Sequence, residues 1–234
     1  MSNSEFQIPD SFDGCVRLFP LPNMVLFPGV VQALNLFEPR YRQLMADVMN
    51  DDQLITMALV KPDPVNLTMP VREIGKTVCV GKVMPHAKLE NGTYNLLLAG
   101  VSRAVIVDEL ASDTLYRQAK VKLIRERSLL EEDDLSLRTK LIQLFKHSRS
   151  SDVQFDEKAL DDLVSNRIEV GQLTDLIAYA SGISPIEQQR ILEINEVRER
   201  AEYLISILER IDPQAASNDG TGESREFPPG FSLN

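Results

Sequence analysis

The sequence predicts an α+β protein, a β-barrel or half-barrel crossed by one helix and followed by an α-helical bundle. Three observations carry that expectation. Between Val16 and Arg127, short runs rich in β-branched residues alternate with turn signals. From Leu129 onward, the apolar residues recur every three or four positions. The charge divides at the same place: residues 1–127 hold 14 Lys and Arg against 14 Asp and Glu, whereas residues 128–234 hold 11 against 21. The organisation expected is a flexible N-terminus over 1–13, a β region over 14–127, a helical region over 128–212 and a disordered tail over 213–234.

The first element is the stretch Leu18-Phe19-Pro20-Leu21-Pro22-Asn23-Met24-Val25-Leu26-Phe27-Pro28-Gly29. Its three prolines fix φ and remove three backbone donors, which predicts a stiff apolar loop outside any regular ladder or helix. The loop has no carboxylate, histidine or serine, so it works by shape and burial. Met24, Val25, Leu26 and Phe27 are the candidate polypeptide contacts, because a segment already stiffened loses little entropy on binding.

Strands follow at Val30–Leu36, Leu54–Val60, Thr77–Met84, Tyr94–Ala99, Ala104–Glu109 and Leu115–Ile124. Asn91-Gly92 predicts a tight hairpin turn, since both residues tolerate positive φ. Gly100 either splits the run Leu96–Val107 or bends one strand, as barrels require. Pro39 at a first turn, with Tyr41, Leu44, Met45, Val48 and Met49 at helical spacing, predicts an amphipathic helix over Pro39–Asn50. The proline-rich segment 61–70 reads as a long loop.

In the second part, Leu137, Leu141, Leu144 and Phe145 make one helical face; further helices are expected near Asp156–Ser165 and Gln172–Ala180. Ser184-Pro185-Ile186-Glu187 reads as a capping box with proline at the first helical position. Ile191, Ile194, Val197, Ala201, Leu204, Leu208 and Ile211 then recur near heptad spacing, which predicts one helix packing on its predecessors or pairing with a second copy of the chain.

Several chemistries are excluded. No apolar run approaches the roughly 20 residues that span a bilayer, and the polar start resembles no secretory signal, so a cytoplasmic address and no membrane partner are expected. A neutral first part and an acidic second part offer no extended basic surface, so no nucleic-acid partner is expected. Cys15 and Cys79 lie in expected strands away from either histidine, which predicts structural thiols. His86 and His147 lack the partners a metal site needs. Gly75-Lys76-Thr77 has Pro70 where a phosphate loop needs glycine, and a strand follows it where a helix is required. The adjacent acidic pairs Glu131-Glu132, Asp133-Asp134 and Asp161-Asp162 do not face one another on a helix. No catalytic residue, metal or cofactor is therefore assigned.

Five separated segments carry a family resemblance: the proline-braced opening, Phe37-Glu38-Pro39-Arg40-Tyr41, Ile74-Gly75, Gly92 to Arg103, and Glu187-Gln188-Gln189-Arg190-Ile191-Leu192-Glu193. In this order they resemble the N-terminal, substrate-binding domain of the ATP-dependent Lon proteases over roughly residues 14–211. The resemblance implies a PUA-like β pseudo-barrel followed by helices, and binding of unfolded or tagged polypeptides as an adaptor in protein quality control. The sequence to Asn234 shows neither a phosphate loop nor a peptidase motif, so a stand-alone, non-catalytic domain is expected, acting with an ATPase or protease partner. Self-association through the 191–211 helix is the alternative, and RNA binding by a PUA-like barrel is a weaker one.

Overall fold

Among the described residues, strands dominate up to residue 123 and helices after it. The computed structural model describes residues 8–62, 72–126, 131–148 and 168–211. Its elements run β1 (Cys15–Leu21), β2 (Val31–Leu36), α1 (Pro39–Met49), β3 (Leu54–Leu59), β4 (Thr77–Lys88), β5 (Tyr94–Leu110), β6 (Gln118–Leu123), α2 (Glu131–Ser148), α3 (Val170–Ala180), α4 (Pro185–Glu193) and α5 (Val197–Arg210). The architecture is the α+β one expected. The helix expected near Asp156–Ser165, most of the 61–70 loop and the tail over 213–234 lie outside the described residues.

The sheet has the order β2-β5-β4-β3-β1-β6, and a further β5–β6 pairing closes it. β1, β3, β4, β5 and β6 thus form a ring in which β1 and β3 are parallel, the connection between them passing through β2 and α1. β5 makes closure possible. One edge pairs with β4; the other pairs with β2 over residues 94–99 and with β6 over residues 104–110. The bend between the two falls at Gly100, where the register slips so that Val80 faces Ser102 while Gly81 faces Gly100. Of the two readings of Gly100, the bent single strand is the one observed.

Two local expectations are corrected. Pro20 lies within β1, opposite Ala58 of β3, and not in an irregular loop. The Leu18 amide donates to the Arg117 carbonyl, on the β6 side, and residue 20 points the same way where β6 pairing has already ended. A missing donor there breaks no rung, and the Pro20 carbonyl accepts from the Tyr41 hydroxyl at 3.1 Å. The β4–β5 turn is wider than a two-residue hairpin: Leu89 to Thr93 separate the strands, and of the Asn-Gly pair only Gly92 has positive φ, at 79°. Asn91 instead accepts from the Thr93 amide through its side chain, at 3.0 Å.

Alternation along the strands builds two cores. Val16, Leu18, Leu54, Ala58, Val78, Val80, Ala104, Ala119 and Val121 fill the ring, with Ile8 and Phe12 packed against them. The opposite faces contribute Phe19, Ile55, Met57, Cys79, Val83, Leu96 and Leu98 to a larger core shared with the 22–30 loop, α1 and the C-terminal helices. Within it α1 buries Tyr41, Leu44, Met45 and Val48, the stripe its spacing predicts.

Among the described residues, the helical half departs from the sequence reading at one place. The expected continuous 191–211 seam is broken at Ile194, which is extended (φ −78°, ψ 113°), so α4 and α5 are separate helices. Ile191, Val197, Ala201, Leu204 and Leu208 are all buried in the protein's own core. The capping box at the start of α4 is complete: the Glu187 amide donates to Ser184 Oγ at 3.2 Å, and the Ser184 amide donates to Glu187 Oε2 at 3.2 Å.

Candidate functional site

The candidate loop lies against the outside of the ring. Val25, Leu26 and Phe27 are 3%, 1% and 0% exposed, and Met24 packs half-buried beside them. Three of the four proposed contacts are therefore core residues, with no surface to offer a ligand. What fixes the loop is backbone as much as side chain. The Gly29 amide donates to the Gly100 carbonyl at 2.9 Å, and the Gly100 amide donates to the Val30 carbonyl at 2.8 Å. A Cβ at residue 100 would stand 2.0 Å from the Phe27 carbonyl oxygen, so only glycine allows this approach.

The junction between ring and helices is occupied by charge. Arg103 of β5 and Arg200 of α5 are 1% and 0% exposed. Arg103 pairs with Glu126, which follows β6, and with Asp175 of α3 at 2.5 Å; Arg200 pairs with Glu126 at 2.9 Å and with Asp175 at 3.3 Å. The break between α4 and α5 supplies further acceptors. Arg103 Nε donates to the Leu192 carbonyl at 3.2 Å and an Arg200 terminal nitrogen to the Ile194 carbonyl at 3.1 Å. Two cations and two anions leave the cluster neutral. Burial opposes the Arg103 charge, and Asp175 and Glu126 overcome it, so the guanidinium ends above its ordinary value. Burial leaves the Asp175 carboxyl above the usual carboxylate range in spite of both arginines. A Cβ at Gly171 would meet Glu126 at 2.8 Å and Arg200 at 3.0 Å, so the helix carries no side chain where the cluster passes.

One accessible apolar surface lies where β2 flares from the ring. Val31 is 50% exposed and Leu97 40%, and Ala33 lies between them, paired with Leu97. Because Val30 and Gly100 form a hydrogen-bonded rung, the register puts the next rungs at Gln32–Leu98, Leu34–Leu96 and Leu36–Tyr94. Val31, Ala33 and Asn35 then turn their amides and carbonyls away from β5. Among the described residues no strand pairs with that edge; the Ala33 carbonyl accepts from Gln32 Nε2 at 2.7 Å. Beside the flare, Pro39, Arg42, Gln43, Ala46, Lys88, Gly92 and Tyr94 line an open cleft of about 420 Å³.

The remaining chemistry-bearing residues do not converge. Thr77 of the Gly-Lys-Thr segment opens β4, and the Gly75 amide donates to the Leu59 carbonyl, which makes the segment part of the sheet. Cys79 is fully buried and burial pushes its thiol up to about 12. Among the described residues no cluster of His, Cys, Asp and Glu could hold a metal ion, and no helix is long and apolar enough to cross a membrane.

The family model for the ATP-dependent protease La (Lon) substrate-binding domain matches residues 16–210. The chain belongs to the Lon substrate-binding domain family. It is 28% identical over 198 residues to a Lon protease of Bacillus thuringiensis, covering 83% of this chain and 24% of that protein. It is 28% identical over 210 residues to a Lon protease of Dictyoglomus thermophilum, covering 90% and 26%. The chain thus spans about a quarter of the length of these relatives. The fold superposes on the N-terminal domain of the Mycobacterium avium complex Lon protease with a TM-score of 0.65 at 16% identity, over 83% of this chain and 98% of that one. The Lon N-terminal domain protein of Xanthomonas campestris gives 0.59 at 19% identity, over 82% and 97%.

Several of the segments that carry the Lon resemblance meet in this fold. The opening loop lies on Gly100. Arg103 of the same strand reaches the Leu192 carbonyl. Gly75 lies against Gln189, whose side-chain nitrogen donates to the Thr77 carbonyl at 2.9 Å. These Lon-type motifs are thus joints between parts of the domain. Sequence reasoning found them and missed the β2 edge, whose available signal was a strand, Val31-Gln32-Ala33-Leu34-Asn35-Leu36, with neither charge nor proline.

Proposed function

We propose that this chain is a non-catalytic polypeptide-recognition module that binds unfolded or tagged protein segments and serves as an adaptor in protein quality control. The observation that carries this reading is the match of residues 16–210 to a substrate-binding domain and not to a catalytic one. The exposed apolar row on β2 and β5 supports it, because apolar side chains beside an edge that pairs with no described strand suit a chain that has lost its own partners. The relatives are Lon proteases of which the matched part is about a quarter, so an ATPase or protease partner belongs to the same proposal. Of the original candidate contacts, Met24 retains accessible surface for such a role; Val25, Leu26 and Phe27 hold the loop in place.

Self-association through 191–211 has less behind it, since that seam is spent on the protein's own core. Fluorescence anisotropy with a permanently unfolded protein, reduced and alkylated, tests the reading: saturable binding is expected, and the native form of the same protein should not compete. Absence of binding at high micromolar concentration, or hydrolysis of casein by the purified chain, would overturn it.

A further inference from the structure

We propose that the open edge of β2 receives an extended polypeptide segment as an added strand, with the segment's backbone bonding to Val31, Ala33 and Asn35. This rests on the polypeptide-binding reading above and specifies where and how the segment lies.

The chemistry of the edge selects the occupant. Three residues direct backbone groups outward at alternate positions, the spacing at which a second strand presents its own donors and acceptors. Edges not meant to pair are guarded by lysine, proline, a bulge or an inward charge; β2 has none of these, and its register with β5 runs unbroken from Val31 to Leu36. The other face of β2 is held by buried Leu34 and Leu36 and by Tyr179, whose hydroxyl donates to Gln32 Oε1 at 2.5 Å. The edge is therefore already in strand conformation and little ordering remains for binding to supply. An added strand with apolar side chains at every second position would extend the row Leu97, Ala33 and Val31 by one more file.

Contact size decides between a client segment and a second copy. Two copies joined at a six-residue uncharged strand would share a contact well below what a stable dimer needs. A client segment needs no more than that one strand, and the acidic excess of residues 128–234 disfavours an acidic one. The occupant is therefore a client polypeptide with alternating apolar residues and few acids.

Ala33→Pro isolates the edge. The Ala33 amide points away from β5, so proline there removes an outward donor and no internal rung. The probe is a fluorescein-labelled peptide alternating valine and leucine with threonine and lysine. The full chain should bind it, A33P should bind it at least about tenfold more weakly with an unchanged melting temperature, and the Val31, Ala33 and Asn35 amides should gain hydrogen-exchange protection on binding. Equal binding by folded A33P, or protection confined to other segments, overturns strand addition. Should A33P fail to fold, the exchange pattern of the unaltered chain decides. A dimer in sedimentation that A33P disperses, without peptide binding, assigns the edge to a second copy and overturns the proposal. If the chain binds the alkylated unfolded protein but A33P binds it equally well, strand addition alone is lost; if the chain binds neither ligand, both readings are lost.

Discussion

Two attachments are made to the outer surface of the ring, and they use opposite physics. The 22–30 loop is fastened by shape: Val25, Leu26 and Phe27 enter an apolar core, and a carbonyl lies where Gly100 leaves room for it. The helical bundle is fastened in part by charge, through Arg103, Arg200, Asp175 and Glu126. Apolar burial stabilises in proportion to area and tolerates repacking. A buried ion cluster adds little net stability while complete, and becomes costly when one member is lost. The difference teaches that the same sheet face can be covered adaptably at one end and stringently at the other.

Removing one member of the charged attachment should give the largest effect. Asp175→Ala leaves two buried guanidinium groups facing Glu126 alone and is expected to cost about 3–5 kcal/mol, measured by urea unfolding. The contrast breaks if the loss is under about 1 kcal/mol. Phe27→Ala tests the apolar attachment, with an expected loss of about 3–4 kcal/mol from cavity and transfer terms. Gly100→Ala should come next, at about 2–3 kcal/mol, because the Phe27 carbonyl must retreat; the loop amides of residues 29 and 30 should then exchange faster. Ser184→Ala removes a cap remote from both attachments and should cost about 1 kcal/mol.

Cys79 lies beneath both attachments and gives a pH test. Its thiol titrates near 12 in the folded chain and near 9 when unfolded, so the folded state holds the extra proton between those values. Its contribution is full below about pH 9 and is lost as the pH rises toward 12, at up to about 1.4 kcal/mol per unit. The difference in stability between the parent and Cys79→Ala should shrink over that window. Thiol reagents should label the partly exposed Cys15 in the native chain and Cys79 on unfolding alone.

The fold was legible in the sequence where periodicity and punctuation act locally. The α1 stripe, the capping box and most strand positions follow from spacing, proline and serine. What was not legible depends on partners distant in sequence. Nothing local marks Ile194 as a break, because the carbonyls released at Leu192 and Ile194 are taken up by arginines from a strand and from the next helix. Pro20 could enter a strand because β6 ends before reaching it. The burial of Val25, Leu26 and Phe27 was not legible for a related reason: a proline-braced apolar loop looks the same in sequence whether it faces solvent or a core, and Gly100, 71 residues from Gly29, decides which.

β5 has one more implication. Leu97, beside the exposed edge, and Arg103, inside the charged cluster, stand on a single uninterrupted strand of 17 residues. They stand six positions apart along it, about 20 Å. In mechanical terms β5 is a cantilever: clamped in the ring and bundle at one end, it projects β2 into solvent at the other. A load on the projecting end is shared between the clamp, β4 and the core beneath Leu34 and Leu36, so the surface that would meet a client keeps its form.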